Sequence, residues 1–222
     1  NSSAENHCTI YAIGESPKDP NVVYVGTDDG NVQVTRDAGK TWMNVTKRLP
    51  GLPACTWISY VAPSSFDAGT CYLSADGHML GDISPHLYVT HDFGATWTSL
   101  ATADVKGYAH VIRQDDVNPE LLFAGTEFGL FCSLDGGKQW AQIHAGLPNV
   151  AVRDLAIHPR EGDLMVATHC RGIYLIDDLA PLRSLTTKVL AADGAFLDTR
   201  PSVLVSPGGQ PRIDGDNGFV AD

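Results

Sequence analysis

The sequence predicts an all-β chain made of tandem four-stranded antiparallel sheets, and three observations carry that expectation. One pattern, [S/T]-x-D-x-G-x-[T/Q]-W, occurs three times: Thr35 to Trp42, Thr90 to Trp97 and Ser133 to Trp140. Short runs rich in Val, Ile, Leu, Tyr and Phe recur between Gly, Pro, Asp and Asn, the signature of strands joined by turns. No convincing amphipathic helix interrupts them.

Each copy of the pattern reads as a tight hairpin turn. Asp37, Asp92 and Asp135 accept hydrogen bonds from their own turns, and Gly39, Gly94 and Gly137 supply the left-handed backbone. Trp42, Trp97 and Trp140 begin the returning strand and pack beneath it. These nine residues are structural, because the turn consumes the carboxylates. The copies start 55 and 43 residues apart, the length of one four-stranded propeller blade.

Strand runs phase into four repeats. The first has 8–15, 22–27, 31–36 and 41–47, and the second 56–62, 70–75, 86–91 and 96–100. The third has 109–114, 120–126, 129–133 and 139–143. The fourth has 152–157, 163–168 and 172–176, with its last strand undefined. It lacks the Asp–Gly–Trp turn; Ile176-Asp177-Asp178-Leu179-Ala180-Pro181 stands there instead. The expected architecture is therefore a β-propeller of about four blades (1–50, 51–105, 106–148, 149–183). A Gly/Pro-rich extension or the start of a further domain follows over 184–222, containing Ser206-Pro-Gly-Gly-Gln-Pro211. Four blades are the low limit for a closed ring. An open arc, further blades or a second copy completing the ring are the alternatives, since exposed edges favour pairing.

Composition narrows the partners. The chain has 222 residues, enough to bury a real core, with 43% hydrophobic and 18% charged residues. Its net charge is −11 with 15 Lys and Arg and no basic run, which argues against nucleic acid or an anionic membrane surface. No apolar segment approaches the roughly 18 residues of a membrane-spanning helix. No signal peptide is visible, and a start at Asn1 fits a processed or trimmed product. Five cysteines without a C-x-x-C pair argue against a zinc site and a full disulfide framework. They read as small buried hydrophobes, with a Cys8–Cys55 bridge as the alternative.

The repeated turn resembles the Asp-box (BNR) repeat of sialidase-type, xyloglucanase-type and sortilin-type β-propellers. The wider likeness runs from about Thr9 to Arg183, and is nearest to the late blades of bacterial proteins labelled "glycosyl hydrolase, BNR repeat" and of sortilin-like (VPS10-type) proteins. Val25-Gly26-Thr27-Asp28-Asp29-Gly30, Ala124-Gly125-Thr126-Glu127-Phe128-Gly129, Ile157-His158-Pro159-Arg160, Thr168-His169-Cys170-Arg171-Gly172-Ile173 and Asp177-Asp178 carry it. The resemblance implies a secreted or periplasmic bacterial protein that leaves the propeller for another domain after this region.

Propeller geometry sorts the remaining residues. Strands A to D run outward from the axis, with the Asp turns on one face and the B–C turns around the axial opening on the other. Aligning the residue after strand B puts Asp28, Asp76, Glu127 and His169 at one rim position. Counting six back from Pro17, Pro63, Asp116 and Pro159 gives a second ring, Tyr11, Trp57, His110 and Arg153. The second B–C connection adds Met79 to His86, and insertions in repeat folds collect on the working face. Flat apolar surfaces with convergent polar groups suit a sugar or a peptide. The competing reading is that turn acids cap hairpins and Trp57 packs between blades.

Three functions fit this rim. The first is a binding module for polysaccharide or for a peptide or protein ligand, using Tyr11, Trp57, His78, His110, Arg153, His169 and Arg171. The second is a glycoside hydrolase pairing Asp28 with Asp76 or Glu127 as acid and base, roughly 5–9.5 Å apart. Xyloglucanase-type propellers carry a catalytic Asp in a turn like Thr27-Asp28, but their second acid comes from another propeller. The sialidase Phe-Arg-Ile-Pro motif is missing, and Arg113 lies along strand A. The third is a sortilin-like scaffold using the axial tunnel and blade edges. His78, His110, His158 and His169 with Asp76 could suit a divalent metal, but they share no short ligand spacing. Asp214-Gly-Asp216-Asn217-Gly218 lacks the distal Glu of a calcium loop and reads as a Gly-rich turn. No metal or cofactor is expected.

Overall fold

The computed structural model describes residues 8–144 and 146–201, with backbone only at residue 187. Among these, four antiparallel sheets follow one another, each a meander in chain order. Blade 1 is β1 (Ile10–Glu15), β2 (Val23–Thr27), β3 (Val32–Thr35) and β4 (Met43–Asn44). Blade 2 is β5 (Trp57–Pro63), β6 (Cys71–Asp76), β7 (His86–Thr90) and β8 (Thr98–Ser99). Blade 3 is β9 (Ala109–Gln114), β10 (Leu122–Thr126), β11 (Gly129–Ser133) and β12 (Ala141–Ile143). Blade 4 has three strands, β13 (Val152–Ile157), β14 (Leu164–Thr168) and β15 (Ile173–Ile176). The fold is a run of β-propeller blades, as the repeats predict.

Blade 4 has no outer strand among the described residues, and after β15 the chain enters α1 (Ala180–Ser184) and α2 (Thr187–Leu190). Pro181 suits the first turn of a helix, and Asp178 accepts the Ala180 N–H at 3.0 Å. Buried Leu179 joins the blade 3–4 core, and Arg183 grips the buried Asp115 carboxylate with two hydrogen bonds, at 2.9 and 2.8 Å. Ser206 to Pro211 and the Asp214 to Gly218 turn lie outside the described residues.

The Asp turns form as their chemistry demands. Asp92 accepts the Thr96 N–H at 2.8 Å, the Thr96 hydroxyl at 2.7 Å and the Thr90 hydroxyl at 2.9 Å, while the Gly94 N–H donates to Thr90 at 2.9 Å. Asp37 repeats this with Thr41 and Thr35, and Asp135 with Gln139 and Ser133. The Thr41 hydroxyl and backbone N–H, then the Thr35 hydroxyl, pull the Asp37 carboxyl down to about 2. The backbone turns left-handed at two successive residues, which is why each pattern needs its glycine.

Three apolar layers lie between successive blades. The first packs Tyr24, Val32 and Val34 against Ile58, Leu73 and Trp97, and the second packs Tyr72, Leu87 and Val89 against Ile112, Phe131 and Trp140. The third packs Phe123 and Leu130 against Leu155, Leu164 and Val166. Trp97 and Trp140 therefore pack on the preceding blade. Trp97 and Trp140 are 7% and 6% exposed, whereas Trp42 is 43% exposed because no described blade precedes it. Trp42 does not pack as expected, and its Nε1 donates back to Gly39 O at 3.1 Å.

Two cysteines, Cys71 and Cys132, are buried in strands; Cys8, Cys55 and Cys170 are exposed, and none is bridged in this structure. The three exposed ones sit in left-handed turns, φ 83°, 62° and 62°, which keeps their thiols out of the inter-blade layers.

Candidate functional site

The rim takes its geometry from one repeated irregularity. Ile10, Ile58, Ala109 and Val152 pair with Thr27, Ala75, Thr126 and Thr168, and a β-bulge follows in every blade. The bulged residues are Tyr11, Ser59, His110 and Arg153, and such bulges re-aim a side chain. Trp57 therefore does not belong to this ring. The true counterpart of Pro17 is Ser65, since Ser16 and Ser64 make the same backbone bond to Val22 and Thr70, whereas Pro63 lies inside β5. Counting from Pro63 lands two residues early, and nothing in the residue types marks Ser59. Trp57 pairs instead with Asp76 and meets the Tyr11 ring edge to face at 4.6 Å.

The other ring, Asp28, Asp76, Glu127 and His169, follows the second strand of each blade. Asp28, Glu127 and His169 donate the same backbone N–H, to Thr9 O, Tyr108 O and Ala151 O, while Asp76 extends β6. Their side chains then diverge. The Asp28 carboxylate accepts the Cys8 and Thr9 N–H groups at 2.9 and 2.8 Å, holding the entry of β1. His169 and Arg171 are exposed on the blade 4 turn.

Blades 2 and 3 bring the others together. Asp76 is fully buried, and its Oδ1 accepts the His78 N–H at 3.0 Å and lies 2.6 Å from His78 Nδ1. Its Oδ2 stands 3.3 Å from His110 Nδ1, and His110 Nε2 stands 3.6 Å from Glu127 Oε2. Arg153 Nη1 approaches the same His110 Nδ1 at 3.2 Å. An imidazole thus bridges two carboxylates from adjacent blades. With Nδ1 protonated it donates to Asp76; with Nε2 protonated it faces Glu127 and can accept from Arg153.

Burial opposes ionisation of Asp76, but hydrogen bonds from the His110 ring, the His78 N–H and the His78 ring outweigh it and hold the carboxyl below its ordinary value. Tyr108, which sequence reasoning missed, stacks on His78 at 4.7 Å and meets His110 edge-on at 5.0 Å. Burial, then a hydrogen bond to Glu127 and its charge, pushes the Tyr108 phenol up to about 12. Its signal was positional: it precedes strand A in blade 3, as Thr9 does in blade 1.

Asp76 Oδ2, His110 Nε2 and Glu127 Oε2 make no hydrogen bond of good geometry, although the His110 ring stands 3.3 and 3.6 Å from the two carboxylates, and Trp57 Nε1 is buried with no hydrogen-bond partner among the described residues. A buried polar group without a good hydrogen bond costs about 1–3 kcal/mol. The two turns that carry it also expose Met79, Leu80, Ile83 and Phe128. Below the rim, the inner strands line two adjoining axial hollows of 390 and 550 Å³ that share Ile13, Tyr60 and Val61. Among the described residues, no group of three His, Cys, Asp or Glu side chains is placed to hold a metal ion.

No family model matches the chain, and no curated protein matches it. Solved structures do. The chain is similar to YCF48 bound to D1 peptide (17% identity, TM-score 0.53, covering 73% of this chain and 48% of that one). It is similar to the GH74 xyloglucanase from Xanthomonas campestris (17% identity, TM-score 0.56, covering 72% and 26%). The computationally designed Ika4 protein is a third (13% identity, TM-score 0.52, covering 78% and 94%). The chain thus spans less than half the length of the first two. At these identities the likeness establishes the propeller fold.

Proposed function

We propose that the chain is a propeller binding module that takes a protein or peptide segment at the rim of blades 2 and 3, within a larger secreted or periplasmic protein. One observation carries the reading. The loosely joined Asp76–His110–Glu127 cluster, with buried Trp57 Nε1 unpartnered among the described residues, adjoins turns that expose Met79, Leu80, Ile83 and Phe128. Buried polar groups fixing orientation beside apolar anchors are the mixture that recognises a peptide. The D1 peptide held by YCF48 supports it by fold alone. A sortilin-like use of the axial hollows is a second place for a peptide, favoured by their 390 and 550 Å³.

Polysaccharide binding draws less support, because it favours open aromatic faces and the Tyr11 and Trp57 rings meet edge to face. Hydrolysis draws less again. It asks for one carboxyl raised toward neutrality, yet Asp76 is held low and Asp28 is engaged by residues 8 and 9. The xyloglucanase likeness is its main support.

The test is a peptide array run beside a glycan array and a polysaccharide-hydrolysis screen. Wild type should capture peptides, and Glu127→Ala and Phe128→Ser should each weaken capture at least tenfold. Glycan capture or hydrolysis in place of peptide capture, or variants that bind like wild type, would overturn the reading.

A further inference from the structure

Two of the three exposed cysteines, Cys8 and Cys55, flank a single turn. That turn, Thr27 to Gly30, follows β2 at the rim end of blade 1. Its Asp28 carboxylate accepts the Cys8 N–H at 2.9 Å, and its Asp29 carboxylate accepts a hydrogen bond from the Cys8 thiol. On its other flank, Gly30 lies against the entry of blade 2. A β-carbon added to Gly30 would fall 2.7 Å from Thr56 O, 3.0 Å from Thr56 N and 3.2 Å from the Cys55 carbonyl carbon. The turn therefore holds one cysteine on each side, although all of blade 1 separates them in sequence.

Each of the two precedes the first strand of its blade, β1 or β5, in a left-handed turn with φ of 83° or 62°. Both stand outside the inter-blade layers, so a small approach of one to the other disturbs no core packing. The Asp29 hydrogen bond, then burial and the charges of Asp29, Asp28 and Cys55, hold the Cys8 thiol above its ordinary value. Cys8 thus already lies in the field of Cys55.

We propose that Cys8 and Cys55 are the two halves of a redox-sensitive staple, a disulfide that ties the entry of β1 to the entry of β5. The bond fastens the strand ends that carry Tyr11 and Trp57, whose rings meet at 4.6 Å. A small disulfide such as glutathione disulfide is the oxidant. The Cys55 thiolate attacks one of its sulfurs and releases one glutathione thiolate. Cys8 then gives its proton to solvent, and its sulfur displaces the second glutathione thiolate from Cys55. Two protein thiols become one S–S bond, one glutathione disulfide becomes two glutathiones, and these take up the two protons. Asp29 slows the second displacement, because it favours the Cys8 thiol over the thiolate. Cys71 and Cys132 take no part, since burial withdraws them from solvent and pushes the Cys132 thiol up to about 12.

The test incubates the full chain with glutathione disulfide, counts native thiols with dithionitrobenzoate and maps an unreduced digest by mass spectrometry. The three exposed thiols should fall to one, Cys170, with a Cys8–Cys55 cross-linked peptide about 2 Da lighter than its two parts. Cys8→Ser and Cys55→Ser should each leave the remaining partner as a glutathione adduct. The oxidised wild type should unfold at a higher urea midpoint, a gain that dithiothreitol abolishes and neither serine variant shows. Asp29→Asn should quicken closure. Adducts on Cys8 and Cys55 without a cross-link, or a cross-link through Cys170, would overturn the staple. An Asp29→Asn chain that closes no faster would overturn its control by the turn.

Discussion

Asp76 and Glu127, at equivalent ends of neighbouring blades, stand on either side of one imidazole, with His110 Nδ1 3.3 Å from Asp76 and Nε2 3.6 Å from Glu127. Strand register creates this relationship. The bulge turns His110 inward, and the ends of β6 and β10 bring an acid to each of its nitrogens. Two carboxylates, an imidazole and Arg153 then form one contiguous polar cluster.

Asp76→Asn should destabilise the fold by about 1–3 kcal/mol, since a buried acceptor of the His78 N–H and of the His110 ring loses its charge. Urea unfolding with an unchanged slope and a lower midpoint would show it. An unchanged midpoint would mean the carboxylate is not held by these donors.

The same residue sets a pH dependence. The folded carboxyl of Asp76 lies below its ordinary value, so its contribution is complete above the unfolded value of about 4 and is lost as pH falls through the lower folded one. Wild type should therefore lose its advantage over Asp76→Asn only below about pH 4. A gap that stays constant down to the acid limit would contradict this.

Gly26→Ala should cost about 1–3 kcal/mol, because its β-carbon would fall 2.3 Å from Ile58 Cγ2. In Gly26→Ala with Ile58→Gly both close atoms, Ile58 Cγ2 and Cβ (the latter 2.7 Å away), are gone, so the double variant should lose less than the sum of the singles. Strict additivity would show that the two blades do not meet there.

Arg183→Ala should cost about 3–5 kcal/mol by leaving the buried Asp115 carboxylate without its bidentate partner. Hydrogen exchange should quicken first across α1 and the 115–118 turn. Unchanged exchange there would mean that α1 is held by Leu179 and Leu182 alone.

Much of the fold was legible because each device is local. An Asp, a Gly and a Trp at fixed spacing specify their own turn, and alternating strands specify their own sheet. What escaped depends on neighbours. Trp42 has the same local chemistry as Trp97 and differs in having no described blade before it. The fourth strand of blade 4 yields to a helix whose hold comes from Asp115, far away in sequence. Among the rim residues, Asp76, His78, His110, Glu127 and Arg153 lie together, whereas Asp28 turns to the entry of β1 and His169 stays exposed on the blade 4 turn. Ser59 was hidden because Pro63, inside β5, resembled Pro17, which follows β1, and no residue type announces a bulge. The exposed turns holding Cys8, Cys55 and Cys170 likewise follow from backbone handedness, which composition does not reveal.

The proposed ligand site is the rim shared by blades 2 and 3. Amide-resolved NMR of the chain, titrated with a peptide captured on the array, reads it residue by residue. Shifts concentrated on Met79, Tyr108, His110, Glu127 and Phe128 are the predicted result. Shifts centred on the blade 4 turn at His169 and Arg171, or on the opposite face at Asp37, Asp92 and Asp135, would contradict it.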